Sequence, residues 1–382
     1  MKDSIAIVDF GSSKIVTLIG SEGINNTLTT LGKGEIFYAG FHNTNFIEPE
    51  NLKFSIASSI ANAEDASQQK ITDVYIGVPG EFSAVVTKNI TLKFPKVKRI
   101  TPFDVENIYK TGNIFENEPN YCLINQSVIY YEIDGGQKVI DPLNFKAKQV
   151  TGKISYILAL RSFVEIIKSI FYDLNIRING FISSVLAESL YLFEPSLRDK
   201  YALLVDVGYL TTSVALSQGN GLIYLNSFSM GGCHVSSDLS QCLRIPFSEA
   251  EQLKNKIALA WIPSSKDVYS VETSDQVMKT YAAKAANEIA LDRVELICSY
   301  IERCINLCKY EVPKFLPIYL AGGGISLMHG VRNIISQKLK RPVVRAVSKN
   351  LVDISPFSIS EDGILSLILN SENSLNHLIV KH

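Results

Sequence analysis

Several features are scarce in this sequence, and each scarcity excludes something. Its 382 residues contain six cysteines and five histidines. The cysteines (Cys122, Cys233, Cys242, Cys298, Cys304, Cys308) are too few and too scattered for a disulfide framework, and fit a reducing cytoplasm. Cys304 and Cys308 lie one helical turn apart with Cys298 nearby. No CxxC or paired-histidine spacing accompanies them, so a helix burying small sulfur side chains is expected rather than a metal site. The histidines (His42, His234, His329, His377, His382) show no ligand spacing, and His234 is expected as a satisfied side chain at an element end. A surplus of either charge is also missing. Lys plus Arg is 37 and Asp plus Glu is 38, a net charge of −1. That balance argues against a protein that coats nucleic acid, whose affinity comes from phosphate neutralisation.

Long hydrophobic runs are absent too. The longest stretch without Asp, Glu, Lys or Arg, Val207–Ser237, is interrupted by Thr211, Thr212, Gln218, Asn220, Asn226 and several glycines. It reads as two strands joined by a Gly219-Asn220-Gly221 turn, not as a membrane span. The apolar N-terminal run is broken by acids within ten residues, unlike a signal peptide. A soluble or peripheral protein is expected. No GxSxG, HExxH or Walker A pattern occurs, and no low-complexity linker separates parts of the chain.

The composition is that of a globular protein, 46% hydrophobic and 20% charged. At roughly 150 residues per domain the length fits two or three domains. A strand (Ile5–Phe10), a polar turn and a second strand (Ile15–Ile19) open the chain. Leu52, Ile56, Ile60 and Ala63 mark one face of a helix after Pro49. Val74–Val78 reads as a buried strand. From about 81 to 158 the chain is richer in Lys and in strand alternation (Val85–Phe94, Ser127–Glu132), with one helix near Pro102–Thr111. This is expected to be a small α+β module inserted into a larger fold. An amphipathic helix follows, with Phe163, Ile166, Ile167, Ile170 and Leu174 facing inward. Residues 234–304 are expected to be mostly helical, with a loop from Pro263 to Ser270. A strand at Pro317–Leu320, a helix near 328–339, a strand near Pro342–Val347 and a helix starting near Asp362 complete the reading.

Ile5–Gly11 parallels Leu203–Gly208, an internal duplication about 197 residues apart. Three short motifs point to nucleotide phosphate and sugar. In Asp9-Phe10-Gly11-Ser12-Ser13-Lys14 a tight turn aims backbone N–H groups at an anion, Ser12, Ser13 and Lys14 add donors, and Asp9 is suited to hold Mg2+ through water. Asp206-Val207-Gly208-Tyr209-Leu210-Thr211-Thr212 is the duplicate turn, with Asp206 as the second Mg2+ candidate. Gly322-Gly323-Gly324 follows a buried strand and lets a ring or ribose approach the backbone.

With these three motifs in this order, essentially the whole chain resembles FtsA, the actin-like bacterial cell-division family. The resemblance implies an α/β fold of two lobes, with duplicated mixed sheets flanked by helices and an inserted α+β subdomain of the 1C kind. Asp9–Lys14 would be the first phosphate loop, Asp206–Thr212 the second and Ala321–Gly324 the adenosine motif. Glu251 and Lys254 would reach the adenosine from a helix, and Gly232 would belong to the segment leading into the upper part of lobe two. Lobe one would comprise 1–80, 159–203 and 353–382, with 81–158 the inserted module projecting from it. The base of lobe two would be 204–233 and 305–352, and its upper part 234–304.

Two departures stand out. The family's second phosphate loop reads Asp-Ile-Gly-Gly-Gly-Thr-Thr-Asp, whereas Tyr209, Leu210 and Ser213 replace two glycines and the last aspartate here. A side chain at a positive-φ position costs roughly 1–2 kcal/mol or remodels the loop, and Tyr209 is placed to fill phosphate space. Weakened ATP binding and at most slow hydrolysis are therefore expected. The family's C-terminus is a flexible linker with a basic amphipathic helix. Here Leu375, Leu378 and Ile379 have helical spacing with Lys381 as the only fixed cation, so fraying surface residues are expected before a membrane anchor.

By the resemblance, function is that of a cytoplasmic adaptor at the inner membrane face and division site. It would polymerise, bind ATP and Mg2+, and link the FtsZ C-terminal peptide to the membrane and to other division proteins. The alternatives are a PilM-like pilus-assembly adaptor that binds a membrane protein's peptide, and a metabolite kinase, for which no general-base carboxylate can be assigned from the sequence.

Overall fold

The computed structural model describes residues 4–23, 27–115, 117–273, 276–348, 358–374 and 378–380. Leu375, His377, Lys381 and His382 therefore lie outside the described residues. The chain opens with the expected hairpin. β1 (Ile5–Phe10) and β2 (Lys14–Glu22) pair antiparallel, with Asp9 opposite Val16, and β3 (Leu28–Phe37) extends the sheet. A small hairpin of β4 (Phe41–His42) and β5 (Asn45–Phe46) leads to α1 (Pro49–Ser67). Proline at the start of α1 presets the helical φ where no N–H bond is lost. Leu52, Ile56, Ile60 and Ala63 are buried, as their spacing predicts, and α1 packs against β3. β6 (Asp73–Val78) then pairs parallel to β1.

The inserted module consists of β7 (Ser83–Arg99), α2 (Pro102–Gly112), β8 (Tyr121–Ile133), β9 (Gln137–Val139) and β10 (Lys146–Leu160). Its sheet runs β7-β10-β8-β9 and carries its own apolar core. α3 (Arg161–Asp173), β11 (Arg177–Ser183), α4 (Ser184–Leu192) and the short α5 (Pro195–Arg198) return to lobe one. The buried face of α3 is Phe163, Val164, Ile167 and Phe171, while Ile166 is 40% exposed. Ile170 and Leu174 pack against the same core as expected, so Ile166 alone departs from the expected face, and the buried stripe widens to Val164 and Phe171 because α3 packs against both β10 and β11.

Lobe two repeats the plan. β12 (Ala202–Val207), β13 (Thr212–Gln218) and β14 (Gly221–Phe228) form an antiparallel set joined by the expected turn. α6 (Gly232–Leu243) and α7 (Phe247–Lys254) follow, and His234 Nδ1 accepts the Gly231 N–H at the start of α6. Next comes a hairpin of β15 (Val268–Glu272) and β16 (Met278–Ala282), where a loop was expected up to Ser270. α8 (Ala283–Leu307) buries Cys298 and Cys304. β17 (Ile318–Ala321), α9 (Val331–Leu339), β18 (Val343–Arg345) and α10 (Ile359–Ser374) end the sequence of elements.

The two main sheets have the orders β3-β2-β1-β6-β11 and β14-β13-β12-β17-β18. In each, an antiparallel three-strand set adjoins two parallel strands. The duplication seen in sequence is therefore a duplication of the sheet, and it sets Asp9 and Asp206 at equivalent strand ends. The inserted module packs on lobe two as well as on lobe one. Asn220 donates its backbone N–H to Val128 O at 3.2 Å, and Thr87 Oγ1 and Tyr310 OH are 2.9 Å apart.

The last described residues correct an expectation. Leu378 is 1% exposed rather than frayed, and Ile379 bridges antiparallel to Asn125 of β8. Gln126 N donates to Leu378 O and Val380 N to Ile124 O, at 3.1 and 3.0 Å. A free strand edge attracts an extended segment, and this one overrides the helical spacing of the apolar residues.

Candidate functional site

The two turns at the ends of β1 and β12 are copies in detail. Gly11 N donates to Lys14 O and Gly208 N donates to Thr211 O, each at 2.9 Å. They face one another across a cavity of about 850 Å3 between the lobes. The run after β17 supplies a third wall. Gly322 has φ +80°, and a Cβ there would lie 2.1 Å from Asp206 Oδ1, so only glycine seats the carboxylate this closely.

Thirteen of the fifteen residues singled out from the sequence line this cavity: Asp9, Gly11, Ser12, Ser13 and Lys14 from the first turn, Asp206, Gly208 and Thr211 from the second, Glu251 and Lys254 from α7, and Gly322, Gly323 and Gly324. Thr212 and Gly232 do not. Thr212 is buried behind the turn, its hydroxyl donating to Met230 O at 2.6 Å, and Gly232 N donates to Gly208 O at 2.9 Å. Both brace the second turn from the rear.

The substituted loop carries no left-handed strain, because neither Tyr209 nor Leu210 has a positive φ. Instead it is tied to its counterpart: Leu210 N donates to Ser12 Oγ at 3.0 Å. The Tyr209 ring lies on the α7 side, with Lys254 Nζ 5.6 Å from its centroid. Lys254 is itself buried and pairs with Glu251 Oε1 at 3.0 Å. Tyr209 therefore borders the wall to which the adenosine was assigned, rather than the gap between the turns.

Residues with no local motif complete the site. Lys33, Glu35 and Tyr38 come from β3 and its end, Ser184 and Glu188 from α4, and Ser360 and Glu361 from α10. Ser184 donates to Asp9 Oδ1 at 2.8 Å, and Tyr38 donates to Gly11 O at 2.8 Å. Lys14 pairs with Glu35 at 2.9 Å and Lys33 with Glu361 at 3.0 Å. Glu188 Oε2 is buried without a hydrogen-bond partner. One signal for it existed in sequence: it is the only acid in the apolar helix α4.

Four carboxyls thus share the cavity floor. Burial raises Asp9 above its usual range, although bonds from Ser360 and Ser184 oppose the rise. Burial and the neighbouring Asp9 push Asp206 up to about 6. Burial pushes Glu361 up to about 7 despite Lys33, and takes Glu188 well above the carboxylate range, with Asp206, Asp9 and Glu361 adding repulsion. Such a floor favours the protonated, neutral form of its carboxyls. Among the described residues no three acidic, His or Cys side chains are arranged as direct metal ligands. Glu188 and Glu361 had no motif to mark them in the sequence, yet both line the cavity.

Comparisons with known proteins agree on the fold and the relationship. Residues 203–361 match the family model described as "Cell division protein FtsA". FtsA of Streptococcus pneumoniae serotype 2 is 24% identical, over 97% of this chain and 84% of that protein. Among solved structures, the PilM-PilN type IV pilus biogenesis complex aligns with TM-score 0.62 and 14% identity, over 97% of this chain and 99% of that one. MreB 5 of Spiroplasma citri bound to AMPPNP aligns with TM-score 0.56 and 10% identity, over 98% and 99%. The chain resembles FtsA along nearly its whole length and has an actin-like fold.

Proposed function

We propose that this chain is an FtsA-like adaptor of bacterial cell division. It clamps ATP between its lobes, associates head to tail into filaments, and links the FtsZ C-terminal peptide to the inner face of the membrane and to other division proteins. A heterologous contact that does not close makes such filaments. The lobes and the inserted module are divided at the boundaries given by the resemblance, with 234–304 as the upper part of lobe two.

One observation carries the nucleotide reading: the two copied turns and the glycine run converge on one cavity. In this reading the turns and Lys14 hold the phosphates, while Glu251, Lys254 and the glycine run border the adenosine. Asp9 and Asp206 hold Mg2+ through water. Bound Mg2+ neutralises phosphate charge. Hydrolysis is weak or absent, because Leu210 N already serves Ser12 and the loop lacks the family's glycines.

Calorimetric titration with ATP and Mg2+ tests the clamp. Weak binding, abolished by Asp9→Asn with Asp206→Asn, is expected. Tight binding with rapid turnover overturns the weak-hydrolysis reading, and no binding of any nucleotide overturns the clamp. A fluorescent fusion concentrated at the division site, with capture of the FtsZ C-terminal peptide, is the expected cellular outcome.

The PilM-like reading retains one supporting observation. The β8 edge accepts an extended segment, Leu378–Val380, in antiparallel pairing. A peptide from a membrane protein that displaces this segment would favour it over the FtsZ reading.

A further inference from the structure

The far end of the inserted module is basic in a chain whose charges otherwise balance. Neither 88–100 nor 142–153 contains an acidic residue. These stretches meet in the β7–β10 pair, where Arg99 stands opposite Lys146, Lys98 opposite Ala147 and Lys93 opposite Gln149. Lys93, Lys96, Lys98, Arg99, Lys146 and Lys148 are all exposed. Lys98 pairs with Asp104 of α2 at 2.8 Å, and Asp134 accepts the backbone N–H groups of Lys148 and Gln149. The other five cations have no ion-pair partner among the described residues.

Two large apolar side chains stand among them. Val97 is 63% exposed and Phe103, in the first turn of α2, is 66% exposed. A tip that presents cations and apolar groups together matches the two requirements of a peripheral membrane contact, electrostatic attraction and shallow insertion. An added peptide strand fits poorly here. Pro95 lacks an N–H, and the ladder is interrupted between the Lys93–Gln149 and Lys98–Ala147 pairs. Leu378, which the helical spacing offered for membrane contact, is buried in the body of the protein.

We infer that the tip of the inserted module, centred on Lys96, Val97, Arg99 and Phe103, docks on an anionic lipid bilayer. This names the membrane contact that the adaptor reading requires and rests on that reading for its biological role. The surface is tested with purified chain alone, without nucleotide or partner, so its failure is separate from failure of the cleft reading.

The experiment is co-sedimentation of the full chain with vesicles of phosphatidylcholine alone or enriched in phosphatidylglycerol. Binding to the anionic vesicles only, weakened by salt, is expected. Each cation near such a surface contributes about fivefold in affinity. Lys96→Ser with Arg99→Ser should therefore weaken binding about 25-fold. Val97→Ser with Phe103→Ser should weaken it several-fold with every charge retained, which free electrostatic adsorption would not show. All four side chains are exposed, so melting temperatures should stay unchanged. The inference is overturned by equal binding to both vesicle types, or by undiminished binding of the serine variants. Binding lost only on removal of residues 375–382, or a tip that binds RNA or polyglutamate and no vesicle, overturns it equally.

Discussion

The backbone N–H of Leu210 donates to the Ser12 hydroxyl at 3.0 Å, so the two copied turns are held to each other directly. In a clamp for phosphate, that N–H belongs to the ligand. Restoring glycine at both substituted positions, Tyr209→Gly with Leu210→Gly, frees the α7 wall and lets the turn adopt left-handed backbone. ATP affinity should rise about tenfold in a calorimetric titration, a gain of about 1.4 kcal/mol. Stability should fall by about 0.5–1 kcal/mol per glycine through unfolded-state entropy. Unchanged affinity would show that neither side chain obstructs the cleft.

The carboxyl floor predicts how stability depends on pH. Asp206 and Glu361 titrate near 6 and 7 in the folded chain, above their usual values of 3.8 and 4.5. The folded state therefore binds more protons than the unfolded state across this interval. The stability these groups contribute is present at low pH and lost as pH rises through 6 and 7. The melting temperature without nucleotide should fall between about pH 5 and pH 8. Glu188→Gln removes a buried acid whose Oε2 has no partner. It should raise stability at pH 8 by about 1–2 kcal/mol and flatten the slope. A slope of opposite sign would refute the proposed proton occupancy.

The parts of the fold that were legible in sequence are those fixed by local periodicity. Leu52, Ile56, Ile60 and Ala63 name the buried face of α1 because that helix meets one neighbouring surface. The buried stripe of α3 is wider than expected, taking in Val164 and Phe171, because two strands from different sheets press on it, which a single amphipathic stripe does not encode. The β15–β16 hairpin went unseen because Val268–Glu272 is short and polar at Ser270, and its partner lies beyond Thr273. In the site, the turns and glycine run are contiguous motifs and were readable. Glu188 and Glu361 come from α4 and α10, which meet only through tertiary packing. Lys33 and Glu35 come from β3, whose strand pattern carries no binding motif.

Lys254 separates a structural role from a ligand-facing one. Its ammonium bonds Glu251 and stands over the Tyr209 ring, while its stem is buried. Lys254→Met keeps the stem volume and removes the charge. Glu251 keeps 28% side-chain exposure and can turn to water. Removing the buried charge also removes its desolvation cost, so stability should change by less than about 1 kcal/mol, whereas ATP affinity should fall about tenfold. Equal losses in folding and binding would mark the pair as structural only.

Asn125 predicts how the module is fastened to lobe one. It is fully buried, donates to Phe181 O and Leu378 O at 3.4 and 3.3 Å, and accepts the Ser183 N–H at 2.8 Å. One side chain thus joins β8, β11 and the chain's last described segment. Asn125→Ala leaves the buried Ser183 N–H without this acceptor, at about 1–3 kcal/mol. Leu378→Ala opens a cavity at the same seam, at about 2–5 kcal/mol. Because both changes act on one junction, the double variant should lose less than the sum of the singles. Hydrogen exchange should quicken at 121–128 and 177–183 in all three variants while β12 and β17 keep their protection. Additive losses, or exchange that quickens equally in lobe two, would show that the segment does not fasten this seam.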